Sequence, residues 1–170
     1  MAAVSLLPVT LAHLDAYRTE PSELGRMLKS PIPDGWPEFP EAIDFTAEKL
    51  REHPEQREWW MHFFLDAETD ALVGSGGFVG PPVDGTVEVG YEIAPPFRGR
   101  GFATAAAAAL REKAVASGEV DVVVAHTLAA EGPSTGVLTH LGFERVATFI
   151  DPEEGELWRW RWRAQEDPVV

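Results

Sequence analysis

Strict alternation marks the C-terminal part of the chain. From Glu156 to Arg163, Trp158, Trp160 and Trp162 fall on one parity and Arg159, Arg161 and Arg163 on the other. A period of two belongs to a half-buried β-strand, here with tryptophans facing a core and arginines facing solvent. Phe143–Ile150, across the turn Asp151-Pro-Glu-Glu-Gly155, predicts the partner strand of a hairpin. Strands are also predicted at Ser5–Thr10, Glu58–Leu65, Ala71–Val79 and Thr86–Ile93, the last three as an antiparallel meander. The valine-dominated stretch Val120–Ala125 predicts a strand buried on both faces.

Helical spacing appears at Leu11–Glu20, Pro21–Ser30 and Glu41–His53, where Ile43, Phe45, Ala47 and Leu50 recur at helical intervals. A long helix is predicted over Gly99–Ser117, ended by Gly118, and a short one over Ser134–Leu141, stopped by Gly142. Between the second and third helices, Pro31–Pro40 packs four prolines, a glycine and two aromatics into ten residues. Proline restricts its own φ and the residue before it, so this segment reads as an ordered loop.

Composition narrows the chemistry. With 170 residues and no internal repeat or linker, the chain reads as one α/β domain over 1–170. Hydrophobic content of 45% with 25% charged residues is that of a globular protein. Its longest apolar run, Ala105–Leu110, falls far short of the roughly 20 residues a bilayer needs, so no membrane partner is expected. The start of the chain carries no basic region before an apolar stretch, and a cytoplasmic location is the expectation.

No cysteine is present, which removes disulfides, thiolate zinc sites and a cysteine nucleophile. The histidines His13, His53, His62, His126 and His140 show no metal-ligand spacing; no metal is expected, and none of the five is assigned a catalytic role. A net charge of −14 argues against a nucleic-acid partner and would attract a cationic acceptor.

The most informative stretch runs from Val87 to Thr104. A strand ends near Ile93, a Pro-Pro turn follows, and Arg98-Gly-Arg-Gly-Phe-Ala103 leads into an alanine-rich helix. The first turn of a helix leaves about four amide donors unpaired and carries roughly half a positive charge. Gly99 and Gly101 allow close backbone approach to an anion, Ala103 keeps the turn narrow, and Arg98 and Arg100 add charge. A Rossmann fingerprint fails because Thr104 stands where Gly or Ala is needed, and no Gly-Lys-Ser/Thr triplet exists for a Walker-type loop.

The segment resembles motif A of the GNAT acetyltransferase superfamily, with Arg98, Gly101 and Ala103 meeting its pattern. Farther on, Ala125-His-Thr-Leu and Glu131-Gly-Pro-Ser134-Thr-Gly-Val-Leu138-Thr-His-Leu-Gly-Phe143 look like the Rim-type branch, as does the Gly90-Tyr91 pair. The resemblance covers roughly Leu72–Arg163. It implies a mixed, mostly antiparallel sheet of about seven strands, flanked by helices and splayed between the fourth and fifth strands. Acetyl-coenzyme A would lie in that cleft, its pantetheine against the backbone of Tyr91 and Ile93. Its pyrophosphate would rest on the amides of Gly99, Arg100, Gly101, Phe102, Ala103 and Thr104, with Arg98 alongside. A backbone N–H near Ile93 would polarise the thioester carbonyl. Dimers are common in the family, so a homodimer is compatible with the resemblance.

The implied reaction is direct attack of a primary amine on the thioester in a ternary complex. The amine must be neutral; at pH 7 that costs about 4.6 kcal/mol for a lysine-type amine and about 1.1 kcal/mol for an α-amine. Glu88 is the candidate base, sharing a strand face with Thr86, Gly90 and Glu92. A bulge, usual in the family at this strand, would shift the register and bring in Glu92 instead. Two residues depart from the pattern: Glu131 replaces the usual asparagine, and Leu138 occupies the position of a tyrosine that protonates the departing thiolate. Ser134 is the remaining candidate donor and cofactor contact, with N-capping of the short helix as its other role. Trp36 and Phe39 are expected either to cover the acceptor pocket or to anchor the proline-rich loop to the core. The acceptor is expected to be a small-molecule amine or a peptide N-terminus; a Rim-type protein N-terminal acetyltransferase and a non-catalytic acyl-coenzyme A-binding module are the alternatives.

Overall fold

In the computed structural model, which describes residues 2–165, the alternating segments pair into one seven-stranded sheet. β1 (Val4–Pro8), β2 (Met61–Asp66), β3 (Leu72–Phe78) and β4 (Thr86–Ile93) run antiparallel in chain order. β5 (Val122–Leu128) is parallel to β4, and β7 (Gly155–Arg163) lies between β5 and the edge strand β6 (Glu144–Asp151). This is the predicted mixed, mostly antiparallel sheet.

Helices α1 (Leu11–Thr19), α2 (Pro21–Leu28) and α3 (Glu41–Glu52) pack on one face of the first four strands. On the other face lie α4 (Phe102–Ala116) and α5 (Pro133–His140). The parity of β4 sorts its side chains: Val87, Val89 and Ile93 enter a core with Phe102, Ala106 and Leu110 of α4. Behind β2, Phe63 joins Leu14, Leu24, Ile43 and Leu50 in a second core. Each such apolar side chain, taken from water, contributes about 1.5–3 kcal/mol.

The C-terminal alternation has its physical consequence in β7. Trp160 is buried against the α4 core, while Trp158 and Trp162 pack at its margin. Arg145 and Arg111 lie over their rings, 4.0 and 4.6 Å from the centroids, satisfying the aromatic faces that remain open. Arg159, Arg161 and Arg163 are exposed on the opposite face, where no helix among the described residues covers the sheet.

Most boundaries shift by one to three residues, and two of the shifts have a plain backbone cause. α4 starts at Phe102, because Gly99 and Gly101 adopt φ of 74° and 86°, left-handed values that do not continue a right-handed helix. The predicted strand at Glu58 begins instead at Met61, since Pro54–Trp59 forms a 3-10 segment with proline in its first turn.

The parallel pairing of β4 with β5 lasts three rungs, Thr86 with Val122, Val87 with Val123 and Glu88 with Val124. Beyond Glu88 the two strands share no further rung, and the sheet opens there. Among the described residues no helix is long and apolar enough to cross a membrane.

Candidate active site

The opening leaves one edge of β4 unpaired. The carbonyl of Glu88 accepts from Val79 N (3.0 Å) and Ala94 N donates to Val73 O (2.8 Å), so even-numbered residues turn their backbone groups toward β3. Strand alternation therefore turns the backbone of Val89, Tyr91 and Ile93 into the gap beside β5. The Tyr91 phenol points the other way, packed against the α4 core, where burial pushes its pKa up to about 12. It stays protonated throughout the working range.

The β3–β4 ladder runs from Val89 to Ile93 without a register shift. No bulge intervenes, so Glu88, Gly90 and Glu92 share the face that carries α1–α3. Glu88 is 37% exposed and meets His126, 23% exposed, at 3.2 Å between Oε2 and Nδ1. The His126 ring also stands edge-on to Phe149, with centroids 5.2 Å apart. Metal-ligand spacing, the criterion applied to the sequence, gave no sign of this pairing, because its partner comes from another strand.

Glu92 faces a different setting. Burial raises its carboxyl pKa, opposed by the loop amides of Glu38 and Phe39, and Glu38 N donates to Oε1 at 2.9 Å. A half-buried carboxylate thus holds the proline-rich loop against β4.

At the mouth of α4 no side chain caps the helix, and the first amide of this turn with a carbonyl partner is that of Ala105, donating to Gly101 O (3.1 Å). The amides from Gly99 to Thr104 are left to the outside, in a turn whose Gly99, Arg100 and Gly101 are exposed. That geometry fits a diphosphate-bearing ligand. Of the two arginines, Arg98 turns back: Nε donates to Ile93 O (2.9 Å) and a terminal nitrogen reaches Glu38 Oε2 (3.2 Å). Arg100 lies over Phe97 and Phe102, 5.5 and 5.4 Å from their centroids.

On the Glu92 face a cleft of about 350 Å³ opens between α3 and the strands β2–β4. Phe39, 51% exposed, lines it together with Phe45, Trp60 and Gly90. Trp36 does not line it. Its indole is buried, donates to Ser75 Oγ (2.8 Å) and packs on Tyr17 and Phe63, so of its two expected roles it fills that of anchor. The prolines bring Trp36 inward and leave Phe39 outward.

The α5 region corrects one expectation. Gly132, not Ser134, is the N-cap, and the capping hydroxyl is that of buried Thr135, which accepts from Gly132 N (2.9 Å). Thr135 donates to Gly132 O (2.9 Å) and to Glu131 Oε2 (3.2 Å), and Ser134 is exposed in the first turn. Leu138 is fully buried in the α4 core. Among the described residues no cluster of histidines and carboxylates could hold a metal ion.

A family model described as acetyltransferase (GNAT) domain matches residues 4–144. No curated protein matches the chain. RimL, a ribosomal alpha-N-protein acetyltransferase in complex with coenzyme A, superposes with a TM-score of 0.70 at 14% identity, covering 95% of this chain and 94% of its own. A dodecameric spermidine N-acetyltransferase from Vibrio cholerae gives 0.66 at 14% identity, over 94% and 93% of the two chains. A GNAT-family acetyltransferase from Bacillus anthracis gives 0.64 at 14% identity, over 96% and 98%. At such identity the likeness is one of fold.

Proposed function

The chain belongs to the GNAT acetyltransferase family, and from that premise we propose that it acetylates a primary amine by direct attack within a ternary complex. Acetyl-coenzyme A supplies the activated acyl group as a thioester. The observation that carries the reading is the uncapped turn from Gly99 to Thr104 beside an open sheet edge.

In this reading the amides of Gly99, Arg100, Gly101, Phe102, Ala103 and Thr104 hold the diphosphate, favoured by the α4 dipole. The gap-facing backbone of Tyr91 and Ile93 holds the pantetheine arm, and the Ile93 N–H polarises the carbonyl. Arg98, by gripping Ile93 O and Glu38, keeps the turn, the end of β4 and the acceptor loop in one arrangement. Arg100 adds positive charge at the exposed rim.

Glu88 acts as base, drawing the proton from the acceptor ammonium, and His126 steadies the carboxylate through their 3.2 Å contact. Glu92, Phe39 and the cleft beside them receive the acceptor. Ser134, exposed and with no capping duty, remains the hydroxyl proposed to contact the cofactor and return a proton to the leaving thiol. The long deprotonation step for a lysine-type amine calls for such a base, and holding both substrates in one cleft supplies the rest of the rate.

A Rim-type acceptor, the α-amino group of a protein, is the second reading, supported by the downstream motif and the fold likeness to RimL. Calorimetric titration with coenzyme A, paired with a thiol-release assay on an amine panel, tests both. Amine-dependent thiol release supports the first reading, and peptide N-termini outperforming free amines supports the second. Tight binding with no release on any amine would leave an acyl-coenzyme A-binding module and overturn the enzymatic proposal.

A further inference from the structure

On a chain of net charge −14, the β7 arginines stand out. Arg159 and Arg161 are exposed on the face turned away from α4, and among the described residues neither forms an ion pair.

Strand register fixes what lies beside them. Arg159 is the rung partner of His126; Arg161 is that of Val124, which is in turn the rung partner of Glu88. Rung partners project from one face of a sheet, so both arginines share the face that carries the Glu88–His126 contact. With strands about 4.8 Å apart, Arg161 lies two strands and about 10 Å from Glu88, backbone to backbone. Glu144 flanks Arg161 on its other side, exposed and likewise unpaired among the described residues.

An acceptor amine at Glu88 has two ways out. Toward β3, α3 walls a cleft of about 350 Å³, room for one side chain or a small ligand. Toward β5 the surface is open: α1–α3 pack over the first four strands, and the exposed Leu128 and Phe149 continue the face beyond His126. A chain longer than the cleft leaves across β5 and β7, over the two guanidinium groups.

We infer that the acceptor is a polypeptide whose second and third residues carry carboxylates that pair with Arg159 and Arg161; this rests on the second reading above, a protein α-amino group as acceptor. The amine meets Glu88, the first side chain enters the cleft, and the following residues cross β5. An extended chain rises about 3.4 Å per residue, so those two residues stand about 3 and 7 Å from the first, and the side chains span the remainder. A guanidinium binds a carboxylate through paired N–H donors. The chain's overall negative charge does not oppose this, because at physiological salt charges beyond about 8 Å are largely screened.

The test is thiol release from acetyl-coenzyme A by the full chain, with three serine-initiated hexapeptides that differ only at residues two and three: Asp-Glu, Asn-Gln or Lys-Arg. Free glutamate is the fourth acceptor. The expected kcat/KM for the acidic peptide exceeds that for its amide isostere by about fivefold, the scale of two exposed ion pairs, and that for the basic peptide by more. Arg159→Gln combined with Arg161→Gln is expected to bring the acidic-to-amide ratio within about twofold, and Arg159→Glu to favour the basic peptide. Each ratio is read within one preparation, so it does not depend on how much of a variant folds. Equal rates on the three peptides in the wild type overturn the inference while leaving peptide acetylation intact. An acidic preference unchanged in the double variant overturns the assignment to these arginines, and free glutamate matching the acidic peptide overturns the polypeptide occupant. No release with any peptide removes the second reading and the inference with it.

Discussion

His126 Nδ1 lies 3.2 Å from Glu88 Oε2, at the point where β4 and β5 stop pairing. Val124 is the rung partner of Glu88, and His126, two residues on, projects from the same face. The contact therefore joins the two halves of the sheet at the edge of its opening. It puts an imidazole next to the carboxylate proposed as base, so the two side chains should act as a unit.

Glu88→Gln is expected to lower kcat by about 100-fold or more while moving the KM of the amine little, in line with the loss of a general base. The double variant Glu88→Gln with His126→Gln should be no slower than Glu88→Gln alone, because the histidine works through the carboxylate. Steady-state kinetics over pH checks both. Full turnover across the pH range in Glu88→Gln would remove that carboxylate as base.

Gly90 offers a cleaner probe of the acceptor cleft. Its φ lies outside the left-handed region, and the space beyond its Cα is open. Gly90→Ala should leave stability unchanged or raise it by the roughly 0.4–1 kcal/mol that such replacements contribute, read as an unchanged or slightly higher melting temperature. Gly90→Val should narrow the cleft and raise acceptor KM about tenfold with coenzyme A affinity unaltered. An unchanged KM would place the acceptor elsewhere. By contrast, a Cβ at Gly76 would run into the carbonyl of Gly90, and substitution there should cost stability.

Arg98 joins the α4 turn to the loop over the cleft through Ile93 O and Glu38. Arg98→Ala should weaken coenzyme A binding and also speed amide exchange at Glu38, whose N–H rests on Glu92. Glu38→Gln should affect the loop without the loss of coenzyme affinity. Calorimetry and hydrogen exchange separate the two effects, and equal coenzyme A losses in both variants would trace the effect to the Glu38 contact they share and not to the Arg98 grip on Ile93 O.

Away from the cleft, His62 is fully buried on β2, its Nδ1 2.9 Å from Trp60 O and its Nε2 2.7 Å from Lys113 Nζ. Burial first, and the neighbouring Lys113 ammonium second, lower its pKa to about 4. Unfolding lets it return toward 6.5, so the unfolded chain binds more protons in between, and stability falls as pH drops from about 6.5 to 4. The linked loss is at most about 3 kcal/mol. Glu58, which pairs with Lys113, has its pKa lowered chiefly by that hydrogen bond, so its contribution is lost at more acid pH. His62→Gln should flatten the denaturant-midpoint profile across the upper window; a profile as steep as wild type would assign the acid sensitivity to other groups.

The elements that proved legible in sequence are those whose period is carried by large side chains. Thr86–Ile93 matches β4 residue for residue, and the Trp/Arg parity of β7 sorts into core and surface. Positions governed by backbone φ were misplaced: the glycines before Phe102 look like a helix start and are instead its left-handed approach. Where two similar residues adjoin, as Ser134 and Thr135 do, composition does not say which hydroxyl turns inward. Trp36 and His126 depend on partners distant in the chain, Ser75 and Glu88, so no local pattern announces what they touch.

Three rungs are a short seam between two half-sheets. Much of the cohesion across it falls to the apolar core beneath α4, where Phe102, Ala106 and Leu110 bridge Val89 on one side and Val123 on the other. Whatever threads the fissure and bonds to both lips acts as a removable stitch, and by mass action adds about 2.7 kcal/mol at a hundredfold excess over its dissociation constant. If the acyl donor is that stitch, as proposed above, the rigidity of the enzyme becomes a function of how much of it is present.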